Sequence, residues 1–403
     1  MRQLARHYAT ARWVEVAIEG DRITSVAPAE GPDDLRDSDD WLAPAFWDIQ
    51  TNGRWGFSYS DPTLTVEQVA AVVRAQRGLG TARLCPTLIT APRLDMLHGV
   101  RTIAEACRKF PDVDAMVDGL HLEGPSISAV DGYRGAHPIG AVRGPDWAEF
   151  EELREASGGR ISIITLAPER PGAIEFIRKV SALGVVVALG HTSADTSTIR
   201  RAVEAGATLS THLGNGIASN LARHPNPIWD QAATDELSAS LIADGHHLGP
   251  EILKVLVRAK TPERVILVSD ASPLAGLPPG RYGEWEVDPS GKIVVAGTPY
   301  LAGSNRGIDV GVNVLMRDVG LSLKQAIDAA TRHPARLLGR PEPRIEAGQP
   351  ANLIRFGVCS GEDDPGFELR ATCVDGAWSG PEVADSSAAL DEIMALRPKA
   401  IGG

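Results

Sequence analysis

Apolar and polar positions follow two different periods along this chain. Residues 13–18 and 22–27 are short extended stretches around Glu19-Gly20-Asp21, which predicts a β-hairpin. A polar, acidic link over 31–40 follows, and beyond it short apolar runs alternate with segments of helical period. In one such segment, 65–79, Val66, Val69, Ala70 and Val73 recur at i, i+3, i+4 and i+7 behind a threonine able to cap the start. An amphipathic helix with its stripe against a sheet is predicted there. The runs 45–49, 82–86, 116–122, 161–166, 185–189, 208–211, 239–242 and 265–268 read as eight strands. They are continuously apolar, as parallel strands covered on both faces should be. Eight such strands with intervening helices, and no glycine-rich phosphate fingerprint opening either half, predict an α/β fold of the (β/α)8 TIM-barrel type rather than two doubly wound sheets.

After the eighth run, 282–295 reads as hairpin material turning at Asp288-Pro289-Ser290-Gly291. Two helices are expected over 307–319 and 322–332, the second ended by His333-Pro334, and two strands over 351–356 and 369–374. Both chain ends are thus β-rich. The expected organisation is a barrel over 43–340 and a small sheet domain built jointly from 1–42 and 341–403.

Composition narrows the class of partner. With 403 residues, 43% hydrophobic and 23% charged, the chain can bury a large core. Lys and Arg number 40 against 52 Asp and Glu, a net charge of −12, which argues against nucleic acid and anionic membrane while leaving room for an anionic small molecule held by a few local cations. Residues 1–13 carry Arg2, Arg6, His7 and Arg12 without an apolar core, so no secretory leader is expected and a cytoplasmic location is. No apolar run approaches the length of a membrane span. Cys85, Cys107, Cys359 and Cys373 show no CxxC spacing and read as buried free thiols.

Barrel enzymes carry their chemistry at the carboxyl ends of the strands, so the polar residues standing there are informative. The first run leads into Asp48-Ile49-Gln50-Thr51-Asn52-Gly53, the third into His121-Leu122-Glu123, the fifth into Gly190-His191-Thr192. The sixth delivers His212-Leu213-Gly214-Asn215, the seventh Asp244-Gly245-His246-His247, the eighth Ser269-Asp270. Taken singly, each histidine could be hydrogen-bonded structure, Asp270 a turn cap and Glu123 a loop residue. Together, one Glu, two His and one Asp converge on one mouth, a set suited to zinc or a similar divalent ion with a position left open for water.

These residues resemble a known family, the N-acetylglucosamine-6-phosphate deacetylases of the amidohydrolase superfamily. The likeness lies in Pro44-Ala45-Phe46-Trp47-Asp48-Ile49-Gln50-Thr51-Asn52-Gly53, Leu120-His121-Leu122-Glu123-Gly124-Pro125, Gly190-His191-Thr192, Thr211-His212-Leu213-Gly214-Asn215, Ile242-Ala243-Asp244-Gly245, Val268-Ser269-Asp270-Ala271 and Leu301-Ala302-Gly303-Ser304. Gly348-Gln349-Pro350-Ala351-Asn352-Leu353 resembles the superfamily's return into its small β-sandwich. The resemblance implies that Glu123, His191 and His212 hold one divalent metal per chain, zinc first, with iron(II), manganese or cobalt as alternatives. It implies Asp270 as general acid and base, and His137 as the residue approaching the scissile carbonyl. Asn215, Gly216, Arg223 and His247 fall on substrate-binding positions, Arg223 reaching from a neighbouring subunit, so a homodimer is implied.

Several positions depart from the family pattern. Where many amidohydrolases carry His-x-His and bind two metals, Gln50-x-Asn52 stands here, a vestigial second-metal position of uncharged amides that are poor cation ligands. No bridging carboxylated lysine has a counterpart. Gly214 replaces a usual aromatic, and Arg223 is followed by His224-Pro225-Asn226, so the sugar pocket is expected to be reshaped. Trp47, Arg54 and Trp55 read either as mouth residues or as packing. The expected activity is metal-dependent removal of the N-acetyl group from N-acetylglucosamine 6-phosphate or a close amino-sugar derivative. The rivals are an amidohydrolase acting on an unphosphorylated N-acyl amine or a deaminase substrate, and a non-catalytic barrel that binds an acetamido sugar.

Overall fold

The computed structural model describes residues 1–31, 40–361 and 364–380, without the side chains of 359–361, 364 and 365; the acidic link, Cys359 and the chain beyond 380 lie wholly or partly outside the described residues. Eight strands follow one another in a single sheet: β1 (Phe46–Thr51), β2 (Thr81–Ile89), β3 (Leu120–Glu123), β4 (Ile161–Leu166), β5 (Val186–Leu189), β6 (Ala207–Ser210), β7 (Ser238–Ile242) and β8 (Val265–Val268). Every neighbouring pair in this order is parallel. The sheet closes just past the end of β8, where Asp270 N–H donates to Gln50 O and Asn52 N–H to Ala271 O, both at 2.9 Å.

Continuous apolar strands serve two cores. Val187 and Leu189 of β5 point out to the helices, whereas Ala188 joins Trp47, Ile49, Cys85, Ile163, Leu209, Ile242, Ile266 and Val268 inside the barrel. β3 puts His121 there instead: its Nδ1–H donates to Ile49 O at 3.0 Å and its Nε2 accepts from Thr165 Oγ at 2.7 Å. A polar layer therefore lies beneath the strand ends. The first helix outside, Val66–Ala75, starts at Thr65 in a capping box with Gln68 and buries Ala70 together with Val69 and Val73, the two valines each worth roughly 1.5–3 kcal/mol when taken fully from water.

Both chain ends build one seven-stranded sheet, in the order Ala377–Ser379, Asp364–Val374, Leu353–Gly361, Trp41–Pro44, Arg2–His7, Trp13–Glu19, Arg22–Pro28. Arg2–His7 escapes the hydrophobic pattern because it lacks a full apolar run, and Trp41–Pro44 because its apolar run continues through Ala45 into β1; both are specified by their neighbours' ladders. The expected strand over 116–122 is shorter than predicted. Pro111 starts a short helix, Pro111–Met116, that takes up Met116, and β3 begins at Leu120. His333-Pro334 does not end the helix before it: Leu323–Ala330 stops at Thr331, and Pro334 lies in the first turn of a new helix, Arg332–Leu337, where its missing N–H costs nothing. The material over 282–295 gains a strand, forming a three-stranded sheet of Gly280–Tyr282, Trp285–Val287 and Ile293–Val295 beside the barrel mouth.

Candidate active site

Glu123, at the end of β3, meets two histidines from the loops after β5 and β6. His212 Nε2 lies 2.8 Å and His191 Nε2 3.3 Å from Glu123 Oε1, and all three side chains are buried. His191, His212 and Asp270 all adopt left-handed backbone angles (φ +49°, +31° and +46°) that non-glycine residues avoid, so the strand ends hold these side chains against local preference. The His191 ring is seated between two glycine backbones. A Cβ on Gly216 would lie 2.7 Å from its Nδ1, and one on Gly135 3.1 Å from its Cε1.

The hydrogen bonds fix the ring tautomers. His191 Nδ1–H donates to Tyr133 O at 2.9 Å, which leaves the Nε2 lone pair directed at Glu123. His137 Nδ1 accepts from Thr90 N–H at 3.4 Å, so its Nε2 carries the proton, 3.2 Å from His191 Nε2. Burial, with the neighbouring His191, pushes His137 down to about 3 and keeps it neutral. Burial alone would raise the Glu123 carboxyl, but its close contacts with the rings of His191 and His212 outweigh it and hold the group well below the usual carboxylate range. The 3.3 Å contact from His191 Nε2 to Glu123 Oε1 is the length of a tetrahedral edge around an ion about 2.0–2.2 Å from each ligand, and the 2.8 Å contact from His212 is a direct hydrogen-bond distance that would open to admit the ion. His212 Nδ1, buried without a hydrogen-bond partner, is the one loose end of this set. The donor set fits a divalent metal.

Gln50 and Asn52 act here as donors. Gln50 Nε2 lies 3.0 Å from Glu123 Oε1 and 3.2 Å from Asp270 Oδ1, and Asn52 Nδ2 donates to the same Asp270 oxygen at 2.7 Å. An uncharged amide thus links the two carboxylates. Burial and then the Glu123 charge raise Asp270 to about 6. Asp270, Asn52, His137, Asn215, Gly216 and His247 line one cavity of about 230 Å³ above the triad. His247 is held by Asp244, whose Oδ2 accepts from Nδ1–H at 2.8 Å, leaving Nε2 free. Arg223 is exposed and outside that lining. Trp47 belongs to the barrel interior, and Arg54 stacks on Trp55 against Gly276, so none of the three forms the mouth.

Sequence reasoning missed part of the wall. Ile89, Pro273, Trp285, Tyr300 and Leu301 also line the cavity, the last three carried by or beside the three-stranded insertion. Of these five only Leu301, in the Leu301-Ala302-Gly303-Ser304 segment, carries a signal in the sequence.

A closed parallel barrel with a Glu/His/His centre and an acidic residue after β8 defines an amidohydrolase, and residues 41–380 match the amidohydrolase family model. Among known proteins, the N-acetylglucosamine-6-phosphate deacetylase of Bos taurus is 37% identical over 349 residues, covering 83% of this chain and 82% of its own. The crystal structure of N-acetyl-D-glucosamine-6-phosphate deacetylase from Mycobacterium smegmatis superposes with a TM-score of 0.80 at 31% identity, covering 91% of this chain and 95% of that one. A mutant of that enzyme in complex with N-acetyl-D-glucosamine-6-phosphate superposes at 0.79. The chain belongs to the N-acetylglucosamine-6-phosphate deacetylase family.

Proposed function

We propose that this enzyme hydrolyses the N-acetyl group of N-acetylglucosamine 6-phosphate or a close amino-sugar derivative, consuming one water and releasing acetate and the free amine. The observation that carries the reading is that Asp270, linked to Glu123 through Gln50, and His137, 3.2 Å from His191, line one cavity together with the Glu123, His191 and His212 cluster. A divalent ion held by those three, zinc by the donor chemistry, would polarise the amide carbonyl and activate water at neutral pH. Asn52 and Gln50 engage Oδ1 of Asp270, so Oδ2 is the oxygen that takes the proton from the attacking water and returns it to the leaving nitrogen. The Nε2–H of His137 is the donor for the amide oxygen. Because Gln50 and Asn52 already bond to carboxylates, one ion per chain is the expected content.

Recognition of the phosphate is assigned to His247 Nε2, Asn215 and the backbone at Gly216, together with Arg223 of a second copy of the chain. In support, Arg223 lies in an exposed loop, and the helices Pro227–Ala233 and Pro250–Lys260, which pack on each other, expose Trp229, Ile252 and Val255. A homodimer covering that apolar surface would bring the guanidinium into the partner's pocket. Free, buried Cys85, Cys107 and Cys373 suit a reducing compartment, in keeping with the cytoplasm.

Acetate release from N-acetylhexosamines with and without a 6-phosphate, by protein reconstituted with single metals, tests the reading. Arg223→Ala should raise KM steeply for the phosphorylated sugar and leave the dephosphorylated one almost unchanged. Equal losses on both, or full activity of a monomer, would overturn the clamp from the partner.

A further inference from the structure

Asp48, in β1, is a carboxylate almost completely buried in the seam where the barrel closes, and neutral donors surround it. Its Oδ2 accepts from the Ser269 hydroxyl, while Oδ1 accepts from Ser269 N–H and Gln50 N–H, both at 3.2 Å. Ser269 Oγ in turn accepts from Ala271 N–H at 3.1 Å. The residues on both sides of Asp270 are thus fastened to one carboxylate and hydroxyl pair, while Asp270 itself sits at φ +46°.

Closing the barrel does not require that carboxylate. The main-chain bonds from Asp270 N–H to Gln50 O and from Asn52 N–H to Ala271 O already join the strands, and an apolar side chain would fill the seam without a buried charge. What the carboxylate adds is a two-point grip, hydroxyl and amide of one residue together, on the turn that presents the acid and base. A left-handed non-glycine residue persists only where its surroundings over-determine it. Relaxing the turn would swing the Asp270 side chain away from Asn52 and Gln50, and displacements of about 1 Å can cost roughly 100-fold in rate.

We propose that Asp48, acting through Ser269, is a positioning residue that holds Asp270 in its reactive pose. The inference rests on the assignment of Asp270 as acid and base. Ser269→Ala and Asp48→Asn, made in the wild-type and in Asp270→Asn backgrounds, test it through kcat, KM, metal content and melting temperature. Each single variant should lower kcat roughly 10- to 100-fold, with KM within about twofold and metal content unchanged. In the Asp270→Asn background, either change should alter the residual rate by less than about twofold, as groups acting as one unit do. If Ser269→Ala does not fold, the volume-conserving Asp48→Asn carries the test. Wild-type kcat in both single variants, alongside a disabled Asp270→Asn, overturns the positioning role. A further loss in the Asp270→Asn background, or joint loss of metal and thermal stability, also overturns it by showing a general structural function. A nearly active Asp270→Asn overturns the assignment of Asp270 itself, a separate result.

Discussion

Replacing Asp270 by asparagine should separate what this carboxylate does for chemistry from what it costs the fold. In the metal-free protein, burial and then the charge of Glu123 raise the group from 3.8 to about 6. The folded state therefore binds this proton more tightly than the unfolded state, and the ionised carboxylate weakens the fold at pH above about 6. The penalty fades as pH falls from there toward 4. Two pKa units correspond to roughly 3 kcal/mol. Asparagine removes the charge but keeps an Oδ1 able to accept from Asn52 and Gln50. In chelator, Asp270→Asn should thus melt several degrees higher than wild type at pH 7.5, the gap closing near pH 4. With metal restored, kcat for acetate release should fall on the order of 10²–10⁴-fold with metal content preserved. A variant no more stable than wild type at pH 7.5 would refute the electrostatic argument, and near-normal turnover would refute the catalytic one.

Elemental analysis of purified protein should find about one divalent metal per chain, because the Gln50 amide already joins Glu123 to Asp270; two tightly held ions would contradict this. Gly216→Ala should weaken metal binding roughly 10- to 100-fold while the fold survives, since its Cβ would press on the His191 ring from a φ of +60°; titration showing wild-type affinity would count against the glycine seat. Buried Lys260 donates to Gln231 O at 2.8 Å, and burial lowers it to about 8 from 10.5, so its protonated form is disfavoured in the fold. Wild-type stability should therefore gain relative to Lys260→Met as pH rises from 7 to 10, and a pH-independent difference between the two melting temperatures would rule this out.

The barrel was legible in the sequence because its driving force is periodic. Strands buried on both faces must be apolar along their whole length, and the helix at Val66–Ala75 announces itself through Val69, Val73 and the Thr65 cap. Glu123, His191, His212 and Asp270 were legible for a related reason: a polar residue ending an apolar run stands at the barrel mouth whatever the details of packing. The strand Arg2–His7 carries no such signal, and that of Trp41–Pro44 merges with the apolar run of β1, so the ladders of distant segments specify both. Pro334 misled because proline stops a helix or opens one depending on which turn it enters, and only the break at Thr331 decides that. The linkage of Gln50 to both carboxylates, the glycine seat around His191, the apolar wall from Trp285 to Leu301 and the grip of Asp48 on Ser269 depend on distances between strands far apart in the chain. Sequence determines which groups reach the mouth; the closing of β1 against β8 decides which of them touch, because hydrogen bonding acts over about 3 Å and local pattern holds no information about that separation.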